Sequence, residues 1–424
     1  MFKKLDRQVI SWALYDWGNS AFAVVMLTAF FPPFFKQYLS ADLDATTSTF
    51  WLGVANAAAS MIIVLLAPVL GAIADAGNAK KRFLIGFAIL GIITTFMLVY
   101  ADKGDWSFGL LLYIMATVGF MGANVFYDAL IMVVAPEDRL DFISALGYAL
   151  GYLGGGLLLA FDVAMFMLPE SFGFADATQA IQASFVSVAI WWALFSVPLV
   201  LFVKEKKVHA SRSIGQSVKS GITQLISTFH HIRKLKVVML FLLAYWLYID
   251  GVDTIIRMAV DYGLSIGFDT SNLITAILIT QFVGFPAAIG FGMIGERIGA
   301  KYGILIAIGV YIMVTIWAFW MDNVAEFYGL AIVVGLVQGG VQSLSRSYYA
   351  RLIPANKAAE FFGFYNMLGK FAAVLGPLLM GVVSLLTRDP RLSILSVVVL
   401  FIAGGVLLWF VDEEKGRRMA QELK

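Results

Sequence analysis

The sequence predicts an all-α integral membrane protein of about twelve transmembrane helices, arranged as two pseudo-symmetric six-helix halves, and three observations carry that prediction. The composition is 60% hydrophobic and only 14% charged, against roughly 45–50% apolar and 25% charged residues in soluble domains. Apolar runs long enough to cross a bilayer recur along the whole chain. A set of polar residues inside the first-half runs returns, in the same order, in the second half.

With a mean hydropathy of +0.85, a soluble fold would have to leave large apolar patches facing water. The net charge of +2 says little by itself, because its distribution matters more. Cysteine is absent, which removes disulfides, thiolate metal sites and cysteine nucleophiles. The histidines, His209, His230 and His231, all fall in one polar segment, so no histidine-based metal or catalytic site lies inside the membrane. No cofactor, metal or nucleic-acid partner is expected. The N-terminus, Met1-Phe2-Lys3-Lys4, is basic, but the following apolar run is too long for a signal peptide and no small-residue cleavage site closes it. It reads as a retained first membrane helix.

A bilayer core needs about 20 apolar residues per helix. The runs fall at about 9–38, 48–73, 83–100, 107–134, 142–168 and 183–203, then 237–262, 271–294, 302–320, 326–349, 361–386 and 392–411. Turn-forming or charged groups separate them: Gly77-Asn78, Lys103-Gly104-Asp105, Pro136-Glu137-Asp138 and Pro354-Ala355-Asn356. Trp51, Trp106, Trp191, Trp192 and Trp320 sit near run ends, where amphipathic rings prefer the membrane interface. One side of the membrane would hold Lys3, Lys4, Arg7, Lys80, Lys81, Arg82, Arg139, Arg297, Lys301, Arg351, Lys357 and the stretch from Lys415 to Lys424. The other holds only Lys36, Lys103, Arg388 and Arg391. Basic loops stay cytoplasmic, so both termini are expected in the cytoplasm and the chain in the cell (inner) membrane.

The domains expected are a first half, 1–203, a linker, 204–236, and a second half, 237–424. The linker carries Ile214, Val218, Ile222, Leu225, Phe229 and Ile232 at helical spacing with basic residues between them. This predicts an amphipathic helix on the cytoplasmic membrane surface, with a solvated linker as the alternative. The halves repeat in detail. Trp12-x-x-x-Asp16-x-x-Asn19-Ser20 returns as Trp246-x-x-x-Asp250-x-x-Asp253-Thr254, at an offset of 234 throughout. Gly71-x-x-x-Asp75 and Lys80 return as Gly292-x-x-x-Glu296 and Lys301 at an offset of 221, and Pro136 returns as Pro354 at 218. Ordered repeats of this kind mark two parallel halves related by an axis along the membrane normal, as in transporters.

The run from Gly71 to Arg82 resembles the loop 2–3 signature of the major facilitator superfamily, a Gly, an Asp four residues later, then Gly and basic residues. This copy departs from it: Ala76 stands where Arg is usual, and Gly77 comes one position early. The second copy, Gly292, Glu296, Arg297, Gly299 and Lys301, is nearer the pattern. Trp12-Ala13-Leu14-Tyr15-Asp16-Trp17-Gly18-Asn19-Ser20, Phe126-Tyr127-Asp128-Ala129-Leu130 and Gly151-Tyr152-Leu153-Gly154-Gly155-Gly156 are similar to the vacuolar-effluxer-like family, related to autophagy-linked amino-acid effluxers. So are Gln338-Gly339-Gly340, Ser343-Leu344-Ser345-Arg346-Ser347, Arg351 to Pro354, Glu360 to Tyr365, Lys370 and Gly376-Pro377. The resemblance covers essentially the whole chain, in the compact prokaryotic form without long loops. It implies the major facilitator fold, alternating access and, loosely, amino-acid efflux.

Ionisable groups inside membrane spans cost about 2.5–3.5 kcal/mol or more each and so mark pathways. Asp16, Asn19 and Ser20 share one face of the first helix. Asp250, Asp253 and Thr254 repeat that face on the seventh, where Asp250 lies 13 residues after Val237, about 20 Å along the helix and near mid-membrane. These faces are candidates for binding a cationic group or a proton; structural hydrogen bonding between helices is the alternative. Arg257 stands four residues from both Asp253 and Asp261, so ion pairing within the helix competes with a carboxylate-binding role. Lys370, about ten residues into the eleventh span, is a further candidate for neutralising Asp16 or holding an anionic group. Asp128 and Arg346, each eight residues before the repeated proline, are expected to pair as an inner gate, with local bonding as the alternative, Asp128 to Tyr127 or Arg139 and Arg346 to backbone carbonyls. Gly71, Asp75, Lys80, Gly292, Glu296 and Arg297 are expected to support the interface between halves, and Gly147 to Gly156 to allow close helix packing. The predicted partners are a small polar solute, zwitterionic if both charge types are used, and membrane lipid; a monomer is expected. Rival readings are a general solute or drug exporter and a lipid-handling protein of this fold. An enzyme is not expected, since no nucleophile elbow, metal motif or phosphate-binding loop is present.

Overall fold

The computed structural model describes residues 5–205, 235–265, 269–371, 375–388 and 390–422. The amphipathic linker helix expected over 204–236 lies almost wholly outside the described residues. Among the described residues there are helices and no strands, as the bilayer demands of any spanning segment that is not a closed barrel. Eleven of these helices are long and apolar enough to cross a membrane.

The first half comprises α1 (Arg7–Leu39), α2 (Ala45–Gly77), α3 (Lys80–Met97), α4 (Trp106–Val134), α5 (Leu140–Met167) and α6 (Ala177–Phe202). The second comprises α7 (Lys236–Ser265), α8 (Thr270–Ile298), α9 (Ala300–Trp320) and α10 (Val324–Leu352). The predicted eleventh span is occupied by two shorter helices, α11 (Ala358–Phe371) and α12 (Leu375–Thr387). The twelfth is α13 (Pro390–Leu395) with α14 (Val398–Trp409), and α15 (Glu413–Glu422) ends the chain.

Local chemistry sets the ends. Asp176 accepts a hydrogen bond from the Gln179 N–H at 2.9 Å, so α6 starts at Ala177 rather than near 183. Asn323 does the same for Glu326 at the start of α10. Pro136 and Pro354 precede short 3-10 turns that lead into α5 and α11, the same device in both halves. In α1, Pro32 and Pro33 remove two backbone donors, and the helix is wound as π-helix over Phe22–Phe30 and Phe35–Leu39 on either side.

The buried apolar side chains of both halves form one continuous core, and the halves meet through α2 against α11 and through α5 against α8 and α10. Small residues permit both approaches. A Cβ on Gly363 would fall 2.9 Å from the backbone of Ala67 and Pro68, and one on Gly292 would fall 2.6 Å from Ala145. The polar contacts between halves run from Tyr152 and Gln342 at mid-helix to Arg351 and Asp141 at the end of the bundle that carries the termini.

The loop signature is built into this seam. Asp75 accepts hydrogen bonds from the Ala359 and Glu360 N–H groups at 3.2 and 2.8 Å, capping the start of α11. Lys80 pairs with Asp75 at 2.6 Å. Glu205, at the end of α6, in turn accepts from the N–H groups of Lys80 and Lys81, at 3.1 and 3.0 Å. Burial pushes the Glu205 carboxyl up, and those two backbone donors work against the shift. Between the two caps the turn is made by Asn78 at φ 47°, not by the early Gly77.

The second copy behaves differently. Gly292 and Gly295 pack on α5, but Glu296 and Arg297 are exposed. The acidic role at this seam falls to Asp141 of α5, which accepts from Ser347 and pairs with Arg351 at 2.7 Å.

A residue larger than glycine at position 363 should therefore wedge α2 and α11 apart. Gly363→Val is expected to cost about 1–3 kcal/mol of stability. It should also speed thiol labelling of an added Ala359→Cys, read against a parent chain with no cysteine. Unchanged labelling would show that the seam does not depend on this contact.

Candidate functional site

Arg346 of α10 lies at the centre of a polar network that joins the halves. Its side chain is 2% exposed. Nη1 donates to Asp128 Oδ1 of α4 at 3.0 Å, Nε to Ser144 Oγ of α5 at 2.9 Å, and Nη2 to the Ser144 carbonyl at 2.7 Å. Ser144 Oγ–H donates in turn to the Ser343 carbonyl at 2.7 Å. The second Asp128 oxygen accepts from Asn366 Nδ2 of α11 at 3.0 Å. The planar fork of a guanidinium matches this set of acceptors, which a lysine ammonium would not.

Three aromatic rings enclose the cation. Its centre lies 4.4 Å from the Tyr148 ring centroid, 5.0 Å from Trp12 and 5.4 Å from Tyr127, within the range of cation–π attraction. Trp12 and Tyr127 stack at 4.4 Å with an interplanar angle of 7°, and Trp12 Nε1 donates to the Tyr127 carbonyl.

Asp16 adjoins this group. It is buried, and accepts from Tyr127 OH at 3.2 Å and from Ser20 Oγ at 3.1 Å. Asn19 points to Asn124 of α4 and to Tyr15. The glycines of α5 let its backbone reach the network: a Cβ on Gly147 would collide with Tyr127 OH, and one on Gly151 with Ser20.

Asp250 keeps the local pattern of Asp16, accepting from Thr254 Oγ1 four residues on at 3.2 Å. Its other partners are different. It accepts the N–H groups of Leu375 and Gly376 in the eleventh span, at 3.0 and 2.8 Å. Backbone donors inside the bilayer must be satisfied, and Asp250 engages these two. Asp253 is half-buried, within electrostatic reach of Tyr148 and Tyr152 of the first half and of Tyr245 and Tyr311 of its own. Arg257 lies in α7 and Lys370 in α11, but their side chains are outside the described residues.

The structure thus brings together Asp16, Asp128 and Arg346, and sets Asp250 apart, bonded to backbone N–H groups of the eleventh span. Ser144 and Asn366, which complete the network, are uncharged and carried no sequence signal. Asp141 and Asp162 did carry one, because a carboxyl within a membrane helix is costly wherever it stands.

A bundle of two matched halves, with eleven membrane-length helices among the described residues packed around a buried charged network, is a solute transporter of the major facilitator type. The comparisons agree in fold. The xylose:proton symporter XylE bound to 6-bromo-6-deoxy-D-glucose superposes with a TM-score of 0.73 at 14% identity, covering 98% of both chains. The E. coli fucose:proton symporter FucP gives 0.69 at 13% identity, covering 96% of this chain and 98% of that one. The chain belongs to the vacuole effluxer Atg22-like family, which it matches over residues 5–421. It is 39% identical to the uncharacterized MFS-type transporter YxiO of Bacillus subtilis, over 100% of this chain and 99% of that protein. It is 24% identical to autophagy-related protein 22 of Saccharomyces cerevisiae, over 99% of this chain and 94% of that protein. It is a multi-pass membrane transporter and not an enzyme.

Removing either member of the Arg346–Asp128 pair leaves the other buried and unmatched, at a cost of about 3–5 kcal/mol. Arg346→Asp and Asp128→Arg are each expected to lower thermal stability and transport. The double exchange should recover part of both, but not all, because Ser144 needs a guanidinium at position 346. A double exchange no better than either single would remove the pair from the mechanism.

Proposed function

We propose that this transporter moves a small zwitterionic solute, an amino acid, outward across the cell membrane by alternating access, with its termini in the cytoplasm. The observation that carries the reading is the buried Arg346–Asp128 pair bridging the halves beside Asp16. Such a pair is stable only while the halves are closed on the termini-bearing side. Opening that side must hydrate both charges, so the network acts as the inner gate and biases the two-state equilibrium. The charge bias of the loops supports a cytoplasmic placement of that side.

The solute reading rests on the polar groups facing the seam and on the effluxer description of the family. An ammonium group suits Asp253 and the tyrosines around it, since aromatic faces and a carboxylate both attract a cation. Lys370 and Arg257 are the candidate partners for a carboxylate. The protein works as a monomer in this reading, each chain carrying a complete pair of halves.

Asp16 and Asp250 are not equivalent in this scheme. Asp16 has only hydroxyl partners, which can turn to suit a charged or a neutral carboxyl. Asp250 accepts two backbone N–H groups, and these have no alternative orientation. A coupling proton therefore belongs on Asp16, and Asp250 belongs to the architecture.

Flux into proteoliposomes, with and without a pH gradient, tests this. Asp16→Asn is expected to fold and to lose the gradient dependence. Asp250→Asn is expected to be destabilised, because its amide NH2 would face one of the α12 donors. Free amino acids should compete with transport better than their amine-blocked or ester forms. Equal competition by all three would favour a general solute exporter.

A further inference from the structure

Buried aspartates in this protein have both carboxyl oxygens engaged, with one exception among the described residues. Asp16 has Ser20 and Tyr127. Asp75 has Lys80 and two backbone donors. Asp128 has Arg346 and Asn366, and Asp141 has Ser347 and Arg351. Asp250 has Thr254 and two backbone donors. Asp162 of α5 is 0% exposed, and its Oδ2 has no hydrogen-bond partner. Its Oδ1 meets only Ser187 Oγ of α6, at 2.8 Å. Of the helices packed on α5, namely α1, α4, α6, α8 and α10, none brings a charged group to bear on it among the described residues.

The proton count at Ser187 is informative. Ser187 Oγ lies 2.8 Å from Asp162 Oδ1 and also 2.8 Å from the Ser184 carbonyl oxygen. A serine hydroxyl has one proton to give, and a carbonyl has none. One proton shared between two acceptors gives two weakened bonds, whereas a carboxylic acid supplying the second proton makes both contacts full hydrogen bonds. Oδ1–H then donates to Ser187 Oγ, and Ser187 Oγ–H donates to Ser184. An ionised Asp162 would instead be a charge out of water with one donor and no counter-ion, the arrangement that burial penalises most.

We propose that Asp162 and Ser187 form a proton-binding site in the first half, separate from the Arg346 network. Asp162 holds its proton on Oδ1 while α5 and α6 are packed together. When water reaches the pair, the O–H bond breaks, the proton passes to water, and Ser187 turns its hydroxyl to the carboxylate that remains. Asp162 lies five residues from the Met167 end of α5, about 8 Å along the helix and toward the side opposite the termini. A groove of about 470 Å³ reaches Ser187 from the flank of α5 and α6, with Leu157, Phe161, Ile190 and Trp191 among its walls. Those walls are apolar, so lipid rather than water fills the groove, and proton exchange waits on separation of the two helices.

The site is independent of the solute assigned above, and its test uses no flux measurement. The full chain in lipid nanodiscs is examined by infrared spectroscopy at pH 7, where only about 0.1% of ordinary aspartate side chains keep a proton. The expected result is a protonated-carboxyl C=O band that disappears in Asp162→Asn and moves to higher frequency in Ser187→Ala, which removes the hydrogen-bond acceptor. A band unaffected by Asp162→Asn would show that Asp162 is ionised and would overturn the proposal. Should Asp162→Asn not fold, Ser187→Ala decides alone: a shifted band supports the site, and an unchanged spectrum overturns it.

Discussion

A guanidinium held away from water must find a counter-charge and enough acceptors, and Arg346 finds them on the half opposite its own. Its carboxylate is on α4, its hydroxyl and carbonyl acceptors on α5, and the amide that completes Asp128 on α11. None of these partners is worth burying without the others, because a half-satisfied charge is more costly than an apolar contact. The glycines of α5, the stacked Trp12 and Tyr127 and the hydroxyl contacts of Asp16 all follow from bringing helices close enough to enclose it.

The two halves share a plan but not a chemistry. Asp16 and Asp250 sit at equivalent positions, each with a hydroxyl four residues on. Yet one adjoins a cation shared between halves and the other accepts two backbone N–H groups of the eleventh span. Asp75 caps α11 across the seam, while Glu296 at its repeat position is exposed and Asp141 takes the acidic role from another helix. A strictly symmetric transporter would place identical charges opposite each other, and like charges repel. Replacing one of each pair turns a repeated scaffold into complementary surfaces.

The fold was legible in the sequence because bilayer thickness imposes a length on every apolar run and backbone satisfaction inside lipid imposes helix. The pairing of Asp128 with Arg346 was legible too, since the repeat put opposite charges at equivalent heights. Ser144 and Asn366 were not, because an uncharged polar residue in a membrane helix gives no cost signal strong enough to notice. The role of Asp250 was hidden for another reason. Its partners are backbone N–H groups 125 and 126 residues away, and backbone groups look alike at every position.

What the sequence by itself determined is the class of structure and the inventory of costly groups: helices of bilayer length, two repeated halves, and a few carboxyls and cations that lipid would not tolerate unaccompanied. These are one-dimensional properties, set by residue type and spacing. Only the tertiary structure decided which of those groups answer one another. Asp128 met Arg346 across the halves, Asp75 met the start of α11, and Asp162 met a single serine. The reason is physical: the energy of a buried charge depends on what lies within about 3 Å of it, and that distance is fixed by helix packing, which spacing along the chain does not contain.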